Sequence, residues 1–296
     1  MLNIAIVGYG NIGKSVMEAI EAANDMQICG VVMRAQSVNK PQVTVPVVDD
    51  IKKLTPKPDV AILCTPSRAI AEVAENCLLQ GINTIDSYDI HTDIWELRAR
   101  LDAAAKKGNS TAIVSVGFDP GGDSVIRALL EVFAPQGQTF TNFGPGMSMG
   151  HTVAVKAIEG VKNALSITIP LGTSVHRRLV YVDVLEGYCF EDIASKIKSD
   201  PYFVKDETHV YQENNIDALI DVGHGVNLVR KGVSGKTHNQ LFEFNMKINN
   251  PALTAQVMVA SARASVKQAP GAYTMIEIPV IDMIDDSKEE IVRRLV

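Results

Sequence analysis

Leu2-Asn3-Ile4-Ala5-Ile6-Val7-Gly8-Tyr9-Gly10-Asn11-Ile12-Gly13 opens the chain, and its reading decides the fold. Leu2–Val7 is a short apolar run ended by Gly8, the pattern of a strand buried on both faces. Gly8 to Gly13 then fits GxGxxG, and Ile12, Val16, Ala19, Ile20 and Ala23 follow at helical spacing. Gly8 permits a tight turn, and Gly10 lets a pyrophosphate approach the backbone. Gly13 lets the helix pack closely on the strand, while the helix N-terminus favours an anion. An ordinary glycine turn would need no such strand before it and no helix after it.

The alternation continues outward. Met26–Val32 reads as a strand, then a Pro-containing polar stretch, a strand at Val60–Cys64, and a helix over about 68–80. A strand around Asn83–Ile85, a helix over about 93–107 and a strand at Ala112–Val116 follow. Parallel neighbours need a crossover, so this order predicts an α/β protein with a Rossmann-type, doubly wound parallel sheet. The rhythm changes after Gly117. Gly121–Phe133 looks helical, but Leu179–Leu185 and Leu241–Ile248 read as strands without intervening helices. They point to a second, α+β domain with a mixed or antiparallel sheet carrying the substrate site. Pro251 suits a helix's first turn, and Ala252–Lys267 has helical composition. The expected division is a dinucleotide-binding domain of residues 1–118 plus about 250–296, and a substrate domain of 119–249.

Composition bounds the function. The 296 residues correspond to about two domains. A formal charge of −6 leaves no cationic excess for nucleic acid. Cys29, Cys64, Cys77 and Cys189 have no CxxC spacing and read as reduced cytosolic thiols. The N-terminus shows no basic segment with a cleavage site, and no apolar run reaches the roughly 18 residues of a membrane span. A soluble, cytoplasmic protein without membrane contact is expected. No HExxH or His/Cys cluster suggests a metal.

The end of the second strand selects the dinucleotide. An NAD site places Asp or Glu there for the adenine ribose, but Val31-Val32-Met33-Arg34-Ala35-Gln36-Ser37 holds no acid. Arg34 can pair with a 2′-phosphate through its donor fork. NADP is the expected cofactor.

Three segments carry the polar chemistry. Ser87-Tyr88-Asp89-Ile90-His91 and Gly117-Phe118-Asp119-Pro120-Gly121-Gly122-Asp123 both follow strands, at the carboxyl edge where open α/β sheets bind ligands. Asp89 and Asp119 can converge there on a small cationic group such as an amine, or serve as turn and cap aspartates. For Asp123 the cap reading is preferred. Gly144-Pro145-Gly146-Met147-Ser148-Met149-Gly150-His151 precedes a helix expected from about His151, whose start can hold a carboxylate; a plain loop is the equal alternative. An ordinary helical surface explains His151 and Lys156. His176-Arg177-Arg178, Asp221-Val222-Gly223-His224-Gly225 and Asn249-Asn250-Pro251 are further carboxylate-binding candidates, with nothing in their spacing to prove that they meet.

GYGNIG, SYDIH, GFDPGGDS, NFGPGMSMGH, DVGHG, KGVSGKTHNQ and INNPALTA, in this order along the chain, resemble the meso-diaminopimelate dehydrogenases. The resemblance implies NADP-dependent oxidative deamination of meso-2,6-diaminopimelate at its D-configured carbon. The products are L-2-amino-6-oxopimelate, ammonia and NADPH, in lysine and peptidoglycan-precursor metabolism. It also implies a homodimer, with dimerisation assigned to the second domain, and a nucleotide domain built from both ends of the chain. Carried over by motif, Asp89 and Asp119 lie around the reacting D-centre, with the Met149–Gly150 turn near its carboxylate, and Phe118 and Phe143 are further substrate contacts. Thr168, Arg178, His224 and Asn250 hold the distal L-centre. The expected nucleotide contacts are Gly8, Tyr9, Gly10, Asn11, Ile12, Gly13, Arg34, Cys64, Thr65, Pro66, Ser87 and Tyr88. Phe118 stands where many relatives have Trp, and Met33 where many have a second Arg. The alternatives are another two-domain NAD(P)-linked reductase of an oxo acid or cyclic imine, and a dinucleotide sensor without turnover.

Overall fold

The computed structural model describes residues 1–34, 42–220 and 223–296. Ala35, Gln36 and Ser37 of the second-strand segment, and Asp221 and Val222 of the DVGHG segment, lie outside the described residues. The chain divides into two units: Met1–Ala128 with Asn250–Val296, and Leu129–Asn249.

The first unit contains β1 (Leu2–Val7), α1 (Asn11–Glu21), β2 (Met26–Val32), β3 (Val47–Val48), β4 (Val60–Leu63), α2 (Ser67–Leu79), β5 (Asn83–Asp86), α3 (Ile94–Gly108) and β6 (Thr111–Val114). Alternation of side chains across each strand builds its two cores. Ile4 and Ile6 of β1, with Val60 and Ile62 of β4, pack on one face with Val16, Met17 and Ile20 of α1. Ala5, Val7, Ala61 and Leu63 point to the other face, against Ile70, Ala74 and Leu78 of α2 and Leu97 and Leu101 of α3. All strand pairs in this sheet are parallel. The order is β3-β2-β1-β4-β5-β6, so the order reverses at β1, whose neighbours are β2 and β4. The crevice for a ligand is therefore outside the carboxyl ends of β1 and β4.

α4 (Gly122–Phe133) leads into the second unit, which holds β7 (Gln136–Met147), α5 (Met149–Lys156), β8 (Val161–Gly172), β9 (Val175–Val184), α6 (Phe190–Ser199), β10 (Glu207–Gln212), β11 (His224–Ser234) and β12 (His238–Ile248). Their sheet has the order β10-β9-β8-β7-β11-β12 and is mixed: β10 and β9 are parallel and the other pairs antiparallel. Val155 of α5 and Ile193 and Ile197 of α6 cover Ala164, Val180 and Val182 on one face.

α7 (Asn250–Ser265), β13 (Gly271–Thr274) and α8 (Lys288–Leu295) complete the first unit. α7 carries Ala255, Met258, Val259 and Ala262 into the same core as α1, and β13 pairs with β6 as the far edge of the parallel sheet.

Two expectations need correction. Gly144-Pro145-Gly146 is not a loop: it is the last part of β7. Such a sequence reads as a turn, but here its glycines allow strands to approach closely. A Cβ on Gly144 would lie 2.2 Å from the Thr168 carbonyl oxygen, and one on Gly146 2.1 Å from that of Gly223. The following helix accordingly starts at Met149 rather than His151. His151 is also not an ordinary surface residue. Its Nδ1 is 2.8 Å from Ser148 Oγ and its Nε2 is 2.9 Å from the Tyr202 carbonyl.

Candidate active site

In the first unit the site begins at the glycine turn. Gly8 has a φ of +92°, and a Cβ there would lie 2.5 Å from the Cys64 carbonyl oxygen. Only glycine fits both the conformation and the approach. Gly13 is equally tight against Gly8, its Cβ position being 2.5 Å from the Gly8 carbonyl oxygen. Gly10 differs: nothing lies within 4 Å of its Cβ position, and as the N-cap of α1 it has no side-chain capping bond. An open approach to a helix start suits a diphosphate. Thr65 adds a second sign of a ligand, since its Oγ1 is shielded from solvent without a hydrogen-bond partner among the described residues. These residues fit a dinucleotide. Arg34 is exposed, two residues beyond β2.

Not every expected contact uses a side chain. The Tyr9 hydroxyl donates to Met17 Sδ at 3.1 Å, so the ring lies along α1. Tyr88 is buried in the core shared with α2 and α3. Burial pushes the thiols of Cys29 to about 11 and of Cys64 and Cys77 to about 12, which leaves them protonated and inert.

Asp86, the last residue of β5, was not anticipated. Its buried Oδ1 accepts the backbone N–H groups of Tyr88 and Ser115, each at 3.0 Å. One carboxylate oxygen thus ties the segment bearing Asp89 to the residue that leads toward Asp119. Burial pushes this carboxyl up to about 6, opposed by those two hydrogen bonds. An acid ending an apolar strand, as in Asn83-Thr84-Ile85-Asp86, was the available signal.

Asp89 is exposed and accepts the Ser67 hydroxyl at 2.6 Å. Asp119 is mostly shielded, and its Oδ1 accepts Arg127 Nη2 at 2.9 Å. Asp123 is more than a cap. It is fully buried, with Oδ2 2.7 Å from the same nitrogen in an ion pair off the hydrogen-bonding axis. Arg127 was visible in sequence only as a cation four residues after Asp123 on a predicted helix. Asn250 begins α7 and accepts the Thr254 hydroxyl at 3.0 Å.

The second unit gathers its candidates by register. Arg178 of β9 pairs with Thr168 of β8, Thr168 with Gly146 of β7, and Gly146 with His224 of β11. Residues opposite one another on neighbouring strands project to the same face. Arg178, Thr168 and His224 therefore form one row, with a gap where Gly146 has no side chain. Arg178 is held firmly: Nε donates to Asp206 Oδ2 at 2.6 Å and Nη1 to the Thr168 hydroxyl. Its side chain is about nine-tenths buried.

Backbone groups orient His224 and His176. His224 Nδ1 is 3.0 Å from the Met147 carbonyl, so Nδ1 carries the proton. His176 Nε2 accepts the Phe143 N–H at 2.9 Å, so it is unprotonated. The Phe143 ring lies between these imidazoles, with centroids 5.7 Å from His176 and 6.1 Å from His224. Burial first, and Arg178 second, depress His176 and push His151 down to about 4. The fixed positive charge of this site is Arg178. Met149 and Gly150, both exposed, open α5. Asp206 carried no usable signal in sequence, since its role arises from a partner remote along the chain; His176 stood there only within the His176-Arg177-Arg178 candidate, without its Phe143 partner. The described residues contain no group of three His, Cys, Asp or Glu able to hold a metal, and no helix long and apolar enough to cross a membrane.

Comparison with known proteins identifies the family. The family model described as the diaminopimelic acid dehydrogenase C-terminal domain matches residues 117–250. The one described as an oxidoreductase family with an NAD-binding Rossmann fold matches residues 2–118. Meso-diaminopimelate D-dehydrogenase of Bacteroides fragilis is 62% identical over 294 residues, covering 99% of this chain and 98% of that protein. The structure of Corynebacterium glutamicum DAP dehydrogenase in complex with DAP matches with a TM-score of 0.89 at 30% identity, over 100% of this chain and 99% of the other. An engineered D-amino acid dehydrogenase bound to NADP+ matches with a TM-score of 0.83, also at 30% identity, over 100% and 99% of the two chains. The chain belongs to the meso-diaminopimelate D-dehydrogenase family.

Proposed function

We propose that this chain oxidises meso-2,6-diaminopimelate at its D-configured carbon with NADP and water, giving L-2-amino-6-oxopimelate, ammonia and NADPH, and runs the reverse reductive amination. The observation that carries this reading is the 62% identity to a meso-diaminopimelate D-dehydrogenase across nearly the whole chain. Lysine and peptidoglycan-precursor synthesis is the corresponding metabolic setting.

The residues divide the work. Gly8, Gly10, Gly13, the start of α1 and Thr65 hold the diphosphate end of NADP, with Asn11, Ile12, Pro66 and Ser87 beside them. Arg34 pairs with the 2′-phosphate. When bound, the nicotinamide supplies the hydride acceptor. Asp89 and Asp119 hold the reacting amine and take its proton, while Phe118 excludes water on their side. Arg178, with the Thr168 hydroxyl and His224, takes the distal carboxylate by charge-assisted hydrogen bonds, and Asn250 contributes to the same end. Phe143, Met149 and Gly150 shape the remainder. The protein's contribution is positioning and proton handling.

Two further parts of the proposal concern the state of the molecule. The second unit exposes Leu129, Val132 and Phe133 on α4, and Leu241 and Phe244 on β12. Apolar exposure on that scale suits a homodimer contact. The four free cysteines suit a cytoplasmic location. The test of function is a screen of amino donors with NADP and NAD, following formation of the reduced nicotinamide. Substrate-dependent NADPH formation from meso-diaminopimelate is expected. Binding of NADP without turnover of any donor would leave the sensor reading instead.

A further inference from the structure

Asp119, Asp123 and Arg127 form a cluster that the reaction as described uses only in part. Arg127 Nη2 lies 2.9 Å from Asp119 Oδ1 and 2.7 Å from Asp123 Oδ2, so one nitrogen sits between two carboxylates. The Asp123 side chain has no exposed surface, whereas Asp119 keeps 17% of its own. Ser124 Oγ reaches Asp123 Oδ1 at 3.4 Å. Among the described residues, the charged groups acting on Asp123 are Asp119 and Arg127. Two carboxylates against one guanidinium leave a surplus negative charge in a shielded place. Holding a proton there costs less than holding both charges.

We propose that Asp119 and Asp123 act as one proton-accepting pair, in which Asp119 meets the substrate amine and Asp123, a positioning residue, keeps the proton behind it while Arg127 braces both. This rests on the reading of Asp119 as a residue of the reacting centre. The balance is simple. The substrate ammonium gives one proton to the pair, whose charge goes from −2 to −1, and the free amine can then lose hydride from its carbon to NADP. In reductive amination the same proton returns. A lone aspartate, with a pKa near 4, is a poor base for an ammonium group; a pair that resists carrying two charges accepts a proton closer to neutrality. Burial, followed by the charge of Asp119, does push the Asp123 carboxyl well above the usual carboxylate range, with Arg127 opposing.

The test is the pH profile of kcat/KM for meso-diaminopimelate with saturating NADP. Asp123→Asn keeps the shape but cannot share a proton, so the acid limb should move down by about one pH unit or more. On the wild-type plateau kcat should fall about tenfold or more. Arg127→Gln removes the charge that favours the ionised pair, so its limb should move up. Opposite displacements in the two variants are the signature of a shared proton, and a structural role would lower activity without moving either limb. If Asp123→Asn fails to fold, Asp123→Ser and Arg127→Gln carry the same comparison. An active wild type with both limbs unmoved overturns the pair alone. A wild type that forms no NADPH from meso-diaminopimelate overturns the assignment of function on which it rests.

Discussion

Replacing Arg178 by methionine separates recognition of a diacid from support of the fold. Methionine fills much of the buried channel that the arginine stem occupies but removes the guanidinium. Its loss breaks the 2.6 Å bond to Asp206 and the bond to Thr168. Asp206 keeps 20% of its side-chain surface, so water relieves part of its stranded charge. The stability loss should fall below the roughly 3–5 kcal/mol typical of a fully buried pair broken on one side. The catalytic loss is a separate quantity. A charge-assisted hydrogen bond contributes about 1.5–3 kcal/mol, or roughly 10- to 150-fold in kcat/KM for a substrate whose distal carboxylate uses it. A simple D-amino acid lacks that carboxylate and should change by less than about threefold. The assay is kcat/KM for meso-diaminopimelate and for D-alanine, in wild type and Arg178→Met, with thermal unfolding of both proteins. Where wild-type turnover of D-alanine is too slow, the reverse reaction with pyruvate and ammonia serves. Equal losses on both substrates would refute the reasoning and make Arg178 a structural residue.

Other outcomes follow from the first unit. Arg34→Asp should reverse or abolish the preference for NADP over NAD, because a carboxylate repels the 2′-phosphate; equal use of both cofactors by the wild type would remove Arg34 from the account. Asp89→Asn should lower turnover by about 10²-fold or more while leaving NADPH binding largely intact. Near-wild-type rates would return Asp89 to its role as acceptor of the Ser67 hydroxyl. Asp86 gives a pH signature in stability. Its folded pKa of about 6 lies above the ordinary carboxylate value, so its contribution is full below pH about 4 and is lost as pH rises through 6. The unfolding temperature of Asp86→Asn, relative to wild type, should rise over that window by the equivalent of about 3 kcal/mol. A difference that stays constant with pH would show that burial does not perturb Asp86.

The parallel sheet was legible because its signals are local. An apolar strand, a glycine turn and an amphipathic helix each need only neighbouring residues, and β1 with α1 shows all three. The row of Arg178, Thr168 and His224 was not legible as geometry. It depends on antiparallel register among β9, β8, β7 and β11, with irregularities near Gly172 and Gly225. A slip of one residue would turn every side chain to the other face, and nothing local fixes the count. The same limit explains β7, where Gly144-Pro145-Gly146 has turn chemistry but is required by close strand contacts. Asp86 was readable in principle, as an acid closing a buried strand. Asp206 was not, because a loop aspartate acquires meaning only when Arg178 is beside it.

The most direct test of the central claim is the stereochemistry of the substrate. In the proposed assignment, hydride transfer requires the reacting carbon's hydrogen to be directed at the nicotinamide while its amine meets Asp89 and Asp119. If Arg178, Thr168 and His224 hold the distal L-centre as proposed, only one hand satisfies both demands. Initial rates of NADPH formation should be measured with meso- and L,L-2,6-diaminopimelate at equal concentration. The account predicts rapid oxidation of the meso isomer and none of the L,L isomer. Comparable rates on the two would contradict it.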